Sequence, residues 1–311
     1  MKKIAVLIPC YNEELTVAGV VAEFRAALPE ADIWVFDNNS KDRTAELAAK
    51  AGARVVPSPR QGKGNVVRHM FDSIEADLYL MVDGDATYPA ASARKLLELV
   101  ESGKADMAVG RRLTSHAEGA FRRFHTFGNH LVARLISALF GVHVSDVLSG
   151  YRVFSRDFVK SIPLMSAGFE IETEMTLQAI SKNFTLVETD IDYGSRPEGS
   201  FSKLSTYSDG FLVLRSMFLI FKDYKPLFFF STVAAFLFVL SVLAGMPAIL
   251  DYVQDPKHYV SHVPLAVLAA SLGILGCLSL SIGLILDTLC KYHKENFALH
   301  RRLIHSRESQ G

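Results

Sequence analysis

The chain has 311 residues, with 33 Lys plus Arg balancing 33 Asp plus Glu. That balance removes any global electrostatic pull toward nucleic acid. Its three cysteines, Cys10, Cys277 and Cys290, form no CxxC or paired spacing, which argues against a disulfide framework or a zinc site and fits a reducing compartment.

Met1-Lys2-Lys3 followed by Ile4–Pro9 superficially resembles a signal peptide. The apolar run is short, and Asn12-Glu13-Glu14 follows at once, so it reads as a first strand. From there to about residue 110, short apolar runs alternate with amphipathic stretches. Strands are expected at Ile4–Pro9, Ile33–Asp37, Arg54–Pro57, Leu78–Val82 and Met107–Gly110. Helices are expected at Leu15–Leu28, Asp42–Ala51, Gly64–Ile74 and Ala91–Glu101, with Asp42 a candidate cap. This alternation predicts an α/β domain, a mostly parallel sheet with helices on both faces.

Each of the first four strands ends in, or is followed by, a polar cluster. These are Pro9-Cys10-Tyr11-Asn12-Glu13-Glu14, Asp37-Asn38-Asn39-Ser40-Lys41-Asp42, Arg60-Gln61-Gly62-Lys63-Gly64-Asn65 and Asp83-Gly84-Asp85. Ligands of open α/β sheets bind at the carboxyl ends of strands, so the four clusters should share one rim. A tyrosine and a carboxylate there suit a base and a ribose, and Gly62-Lys63-Gly64 can bring a cation and amides near phosphate. Asp83 and Asp85 can share one divalent ion, Mg²⁺ or Mn²⁺. Alone, that triplet is equally an ordinary Asp-Gly turn. Neither a Walker A loop nor a GxGxxG fingerprint is present.

The ordered series resembles family 2 glycosyltransferases with a GT-A fold. More narrowly, it is similar to the polyprenyl-phosphate glycosyltransferases, relatives of dolichol-phosphate mannose synthase. The resemblance spans about residues 3 to 225. Besides the four clusters it rests on Val109-Gly110-Arg111-Arg112, Asp146-Val147-Leu148-Ser149-Gly150-Tyr151-Arg152 and Arg196-Pro197-Glu198-Gly199-Ser200-Phe201-Ser202-Lys203. It implies that Pro9, Tyr11, Asn12, Glu13, Asp37, Lys63 and Asp83 hold a nucleotide-sugar. It implies catalytic roles for Asp83, Asp85, Arg112 and Asp146, with Asp83 and Asp85 holding Mg²⁺ or Mn²⁺. Some relatives carry a glutamine ligand where this chain has Thr87. Glu172 and Glu174, opening a helix expected at Glu174–Lys182, would face the acceptor, although capping of the helix explains such acids equally well.

Phe121-Arg122-Arg123-Phe124 begins a basic, aromatic segment running to Phe140. It reads as a packed amphipathic helix or a helix at the membrane surface. Asp146 and Tyr151-Arg152 follow in a loop and a returning strand, and Thr185–Tyr193 is a further strand. Arg196–Lys203 suits a mobile cover over a phosphate. With Arg122, Arg123, Arg196, Ser202 and Lys203, the chain has cations and a hydroxyl to position an acceptor phosphate. Ser208–Phe221 is amphipathic and leads toward an apolar stretch.

Leu227–Leu250 and Val263–Leu286 contain no charged residue, and each exceeds the roughly 20 residues that cross a bilayer core. Lys222 and Lys225 precede them, and Lys291, Lys294, Arg301 and Arg302 follow. The positive-inside rule places both flanks in the cytoplasm. The expected domains are a cytoplasmic GT-A domain (1–205), a juxtamembrane helix (206–225), a transmembrane hairpin (226–290) and a basic cytoplasmic tail (291–311).

The expected reaction is inverting transfer of a sugar from a nucleotide-sugar to polyprenyl phosphate at the cytoplasmic membrane face. UDP-hexose or UDP-N-acetylhexosamine is favoured over GDP-mannose. The expected partners are therefore the donor, the lipid phosphate and the membrane, with no nucleic acid. A homo-oligomer is possible through Gly273, Gly276 and Gly283. A processive polysaccharide synthase is disfavoured, because the sole tryptophan, Trp34, lies in a strand and leaves no QxxRW motif. A nucleotidyltransferase lacks its Gly-rich opening loop. A non-catalytic membrane scaffold is the alternative from another class.

Overall fold

The computed structural model describes residues 2–113, 120–168, 170–194, 218–254, 256 and 259–308, with side chains for all of these except 113, 120–128 and 304–308. The chain divides into two compact units, Met1–Val213 and Leu214–Gly311.

The first unit is built on a seven-stranded sheet. Its strands are β1 (Ile4–Cys10), β2 (Asp32–Asp37), β3 (Arg54–Pro57), β4 (Leu78–Met81), β5 (Met107–Leu113), β6 (Arg152–Ser155) and β7 (Leu186–Asp192). They lie in the order β3-β2-β1-β4-β6-β5-β7. β1, β2, β3 and β4 are mutually parallel, and β5 is parallel to β7. β6 runs antiparallel to both its neighbours. β4 is buried at every residue and β1 at nearly every one, as expected of strands covered on both faces.

The covering helices are α1 (Val17–Ala27), α2 (Thr44–Lys50), α3 (Lys63–Ser73), α4 (Ala93–Glu101), α5 (Ala120–Phe140), α6 (Arg156–Ser161) and α7 (Ile171–Ser181). Their buried residues follow the helical period: Val17, Val20, Val21 and Phe24 in α1, and Ala93, Leu96, Leu97 and Val100 in α4. Phe24 meets the buried Tyr151 edge-on across the core, with ring centroids 6.0 Å apart. α7 starts at Ile171, earlier than expected, so Glu172 and Glu174 both fall in its first turn.

The second unit contains α8 (Pro226–Gln254) and α9 (Val263–Glu308), preceded by helical turns at 218–224. Both long helices are long and apolar enough to cross a membrane, with mean hydropathy of 2.5 and 2.3 in their most apolar windows. They pack through small residues. Gly273 approaches Ser241, Gly276 lies against Phe238, and Gly283 against Phe230. Ser241 Oγ donates to the Ala269 carbonyl at 2.7 Å, and Ser279 Oγ to that of Phe230 at 3.0 Å. The three glycines proposed for contact with a second copy therefore face the chain's own first long helix.

Candidate active site

The carboxyl ends of β1, β2, β3 and β4 open on one edge, and their loops are stitched together by side chains. Asn12, at φ +52°, donates its amide N–H to Ser40 Oγ (2.9 Å), and its Oδ1 accepts the Lys41 amide (2.8 Å). The Glu13 amide donates to Thr44 Oγ1, and Asp42 accepts both the amide and the hydroxyl of Thr44. Thr16 Oγ1 donates to the Gly84 carbonyl (2.7 Å), tying the start of α1 to the Asp-Gly-Asp turn.

Asn38 went unnoticed as a functional residue, although its side chain staples two of these loops. Its Nδ2 donates to the Ser58 and Arg60 carbonyls, and its Oδ1 accepts the Gly62 amide and Gln61 Nε2. Beside it, Asp37 keeps one carboxylate oxygen, Oδ1, buried without a hydrogen-bond partner. Buried polar atoms are normally paired, so a lone acceptor at the ligand edge is suited to a donor from outside the chain.

Asp85 is buried, and its Oδ1 accepts the Thr87 amide (3.2 Å) and hydroxyl (2.6 Å). Thr87 thus orients the carboxylate. Between them, Ala86 takes φ +58°, a conformation a non-glycine residue adopts only under local constraint. Asp83 lies closer to the surface and pairs with Lys63, Nζ to Oδ1 at 2.6 Å; Lys63 Nζ also meets Glu172 Oε1 at 2.5 Å. Burial disfavours the ammonium, but the charges of Asp83 and Glu172 outweigh it and hold the Lys63 pKa above its ordinary value.

Lys63 is held there by its glycines. Gly62 sits at φ +121°, and a Cβ on either Gly62 or Gly64 would collide with the backbone at Ser166 and Ala167. The 165–167 segment is anchored by Glu174, whose two carboxylate oxygens accept the Met165 and Ser166 amides at 2.8 and 2.7 Å. Both carboxylates expected on the acceptor side thus serve the loop that carries Lys63. A Cβ on Gly150 would strike the Asp83 carboxylate, so that glycine closes the other side.

Arg112 and Asp146 form a bidentate pair. Nε and Nη2 donate to Oδ2 and Oδ1, each at 2.8 Å, and the Arg112 amide adds a third bond at 3.1 Å. Asn129 Nδ2 donates to Asp146 at 3.2 Å, and Glu188 accepts the Ser145 and Asp146 amides. The Arg112 guanidinium lies over the Tyr193 ring, 5.4 Å from its centroid. Arg152, fully buried, donates to the Ser149 and Val147 carbonyls and to Thr176 Oγ1. It fixes the loop from which Asp146 projects.

Burial would raise the Asp146 pKa, but the bonds and charge of Arg112 outweigh it and lower it below the ordinary 3.8. A carboxylate with a lowered folded pKa adds stability that is complete above its unfolded pKa and is lost as pH falls through the folded value. Asp146→Asn is expected to destabilise the first unit by roughly 3–5 kcal/mol at pH 7, since it leaves a largely buried guanidinium unpaired. The deficit should shrink below about pH 4. Urea unfolding followed from pH 3 to 7 measures both.

Asp83 and Asp85 are hard-oxygen groups that fit Mg²⁺ or Mn²⁺. Among the described residues no set of three His, Cys, Asp or Glu side chains gathers as a metal site. A cation held here would complete its shell with ligand oxygens and water. Of the expected site residues, Pro9 and Asp37 lie at the carboxyl ends of β1 and β2, Tyr11, Asn12, Glu13, Lys63, Asp83 and Asp85 follow the ends of β1, β3 and β4, and Arg112, Asp146, Glu172 and Glu174 belong to the same unit. Arg196, Ser202 and Lys203 lie outside the described residues, as does most of Ser208–Phe221. Arg122 and Arg123 lie on α5, but their side chains are outside the description.

The Glycosyl transferase family 2 profile matches residues 5–162. Glycosyltransferase AglJ of Haloferax volcanii is 33% identical over 294 residues, covering 94% of this chain and 95% of that protein. A dolichyl-phosphate hexose transferase of the same organism is 30% identical over 215 residues, 69% of this chain and 92% of its own. The fold matches that of glucosyl-3-phosphoglycerate synthase from Mycobacterium tuberculosis, crystallised with Mn²⁺, uridine diphosphate and glucosyl-3-phosphoglycerate. The TM-score is 0.59 at 20% identity, over 71% of this chain and 79% of that one. The chain belongs to glycosyl transferase family 2, and its first unit has the GT-A fold.

Proposed function

We propose that this glycosyltransferase moves a sugar from a nucleotide-sugar to polyprenyl phosphate at the cytoplasmic face of a membrane, with inversion. The observation that carries the proposal is the shared edge of Asp37, Asp83 and Asp85, where Asp37 keeps a buried acceptor without a partner and β4 is followed by two hard carboxylates. Asp37 Oδ1 would accept an N–H of the base. Pro9, Tyr11, Asn12 and Glu13 would frame the nucleoside. A divalent ion on Asp83 and Asp85 would neutralise the charge on the departing diphosphate. Arg112, fixed by Asp146, would orient the donor on the side of Tyr193.

The acceptor oxygen attacks the anomeric carbon as the bond from that carbon to the diphosphate oxygen breaks, and the nucleoside diphosphate leaves with the electron pair. A phosphate monoester is already largely ionised at neutral pH, its second pKa being about 6. No strong general base is required, and the acceptor needs only cationic positioning. Arg122, Arg123, Arg196, Ser202 and Lys203 are assigned to it by their sequence pattern. Glu172 and Glu174 support the donor loop in this reading. The lipid acceptor is supported by the two apolar helices and by likeness to the dolichyl-phosphate hexose transferase.

The proposed domains are 1–205 catalytic, 206–225 juxtamembrane, 226–290 spanning and 291–311 a basic tail. The flanking lysines and arginines support cytoplasmic placement of both ends. UDP is the preferred nucleotide. Titration calorimetry of the purified full chain with UDP and GDP, with and without Mn²⁺, tests the donor half. The reading predicts Mn²⁺-dependent binding of one nucleotide. No heat at millimolar concentration of either would favour a scaffold without catalysis.

A further inference from the structure

α9 continues well beyond its apolar segment, as an unbroken helix to Glu308. One of its faces carries a second pattern. Leu275, Leu278, Ile282 and Ile285 recur at alternating intervals of three and four residues. Past the last apolar turn the same alternation continues through Leu289, Tyr292, Asn296 and Leu299, and Leu303 falls on the next step. This is the heptad period of a coiled-coil seam, with Leu275, Ile282, Leu289 and Asn296 at a and Leu278, Ile285, Tyr292 and Leu299 at d. The apolar members are 45–61% exposed. Gly276 and Gly283, which meet α8, occupy b positions off the a/d seam, and Ser279, which donates to the Phe230 carbonyl, occupies an e position at its flank. The seam thus lies within the broader surface that α8 leaves uncovered, which also includes Ile274 and Leu284.

Lipid accounts for apolar exposure within the spanning part. It does not account for Leu289, Tyr292 and Leu299 at a strict 3.5-residue period among Lys291, Lys294 and Arg301. We infer that α9 pairs with α9 of a second copy of this chain as a parallel two-stranded coiled coil running from the membrane into the cytoplasmic extension. Three features select that partner. Two copies anchored in one membrane are parallel and in register, which sets each a position beside its own counterpart. An asparagine at a single a position then meets its twin, a pairing that specifies register and two strands. The flanking g and e positions across Leu289–Leu299 hold Thr288, His293, Glu295 and His300, so Glu295 of one helix faces His300 of the other and no two acids or lysines oppose each other. The inference is independent of the donor and acceptor assignments.

Cross-linking in native membranes tests it. Leu299→Cys, made with Cys277→Ser and Cys290→Ser, places a thiol at d, where paired Cα atoms come within the roughly 4.4–6.8 Å a disulfide requires. Lys294→Cys in the same background places it on the outer f position. Mild oxidation is expected to give at least tenfold more covalent dimer from Leu299→Cys than from Lys294→Cys. Light scattering in detergent should give about twice the 34.3 kDa chain mass for the parent protein and a single chain mass for Leu289→Glu/Leu299→Glu. Equal cross-linking at the two positions, no cross-linking at either, or an unchanged mass in the double glutamate variant would overturn the inference. Retained circular dichroism in that variant keeps misfolding from being read as dissociation.

Discussion

Asp85→Asn is expected to reduce sugar transfer by at least about 100-fold while leaving the catalytic unit folded. The amide keeps an oxygen for the Thr87 amide and hydroxyl, which both bond to Asp85 Oδ1, but removes the charge that would hold the divalent ion. Losing one preorganised electrostatic contact at a reacting centre typically costs about 10²–10³ in rate, or roughly 3–4 kcal/mol. Asp85→Ala should cost activity equally and add about 1–3 kcal/mol of destabilisation, because the buried Thr87 hydroxyl loses its acceptor. Steady-state transfer rates and thermal melts of both variants separate the two effects. Wild-type transfer by Asp85→Asn would remove the metal assignment.

Lys63→Met is the second large effect. It leaves Glu172, almost wholly buried, without the ammonium that meets it at 2.5 Å, and frees Asp83 from its 2.6 Å contact. Removing one partner of a buried ion pair costs roughly 3–5 kcal/mol. The double variant Lys63→Met/Glu172→Gln removes the stranded charge and should recover most of that stability. It should not recover nucleotide binding, because Asp83 still lacks the group that orients it. Groups in one network give non-additive changes in such a cycle. Additive stability losses from the two single variants would show that Lys63 and Glu172 act separately.

Much of this site was legible in the sequence because it is local. β1 to β4 are short, largely apolar runs, and each is followed within a few residues by polar residues that the parallel topology must bring to one edge. Asp83 and Asp85 needed only that inference. The partner of Lys63 did not follow from spacing. Glu172 lies over a hundred positions away, on a helix whose start was expected at Glu174 and is found at Ile171. Glu174 read as an acid of a first helical turn, yet its oxygens are occupied by Met165 and Ser166.

The stapling role of Asn38 and the bonds from Thr87 to Asp85 were not legible for a different reason. Each stands in a loop rich in similar residues, and only the closed hydrogen bonds distinguish a staple from a solvated side chain. Likewise, the returning strand β6 was expected from Tyr151-Arg152, but its antiparallel direction depends on β4 and β5 receiving it between them. The glycines of α9 were read as a surface for another copy. They serve instead the close approach of α8, while the outward face follows a heptad period that was masked by the apolar composition around it.

The proposed acceptor is a lipid phosphate. Purified full-length protein with Mn²⁺ and a panel of labelled UDP- and GDP-sugars, offered polyprenyl phosphate in parallel with the matching polyprenol, tests it most directly. One labelled, organic-extractable product carrying a single sugar is expected, formed from the phosphate and not from the alcohol. Label appearing on polyprenol, or no product from polyprenyl phosphate with any donor that calorimetry shows to bind, would contradict it.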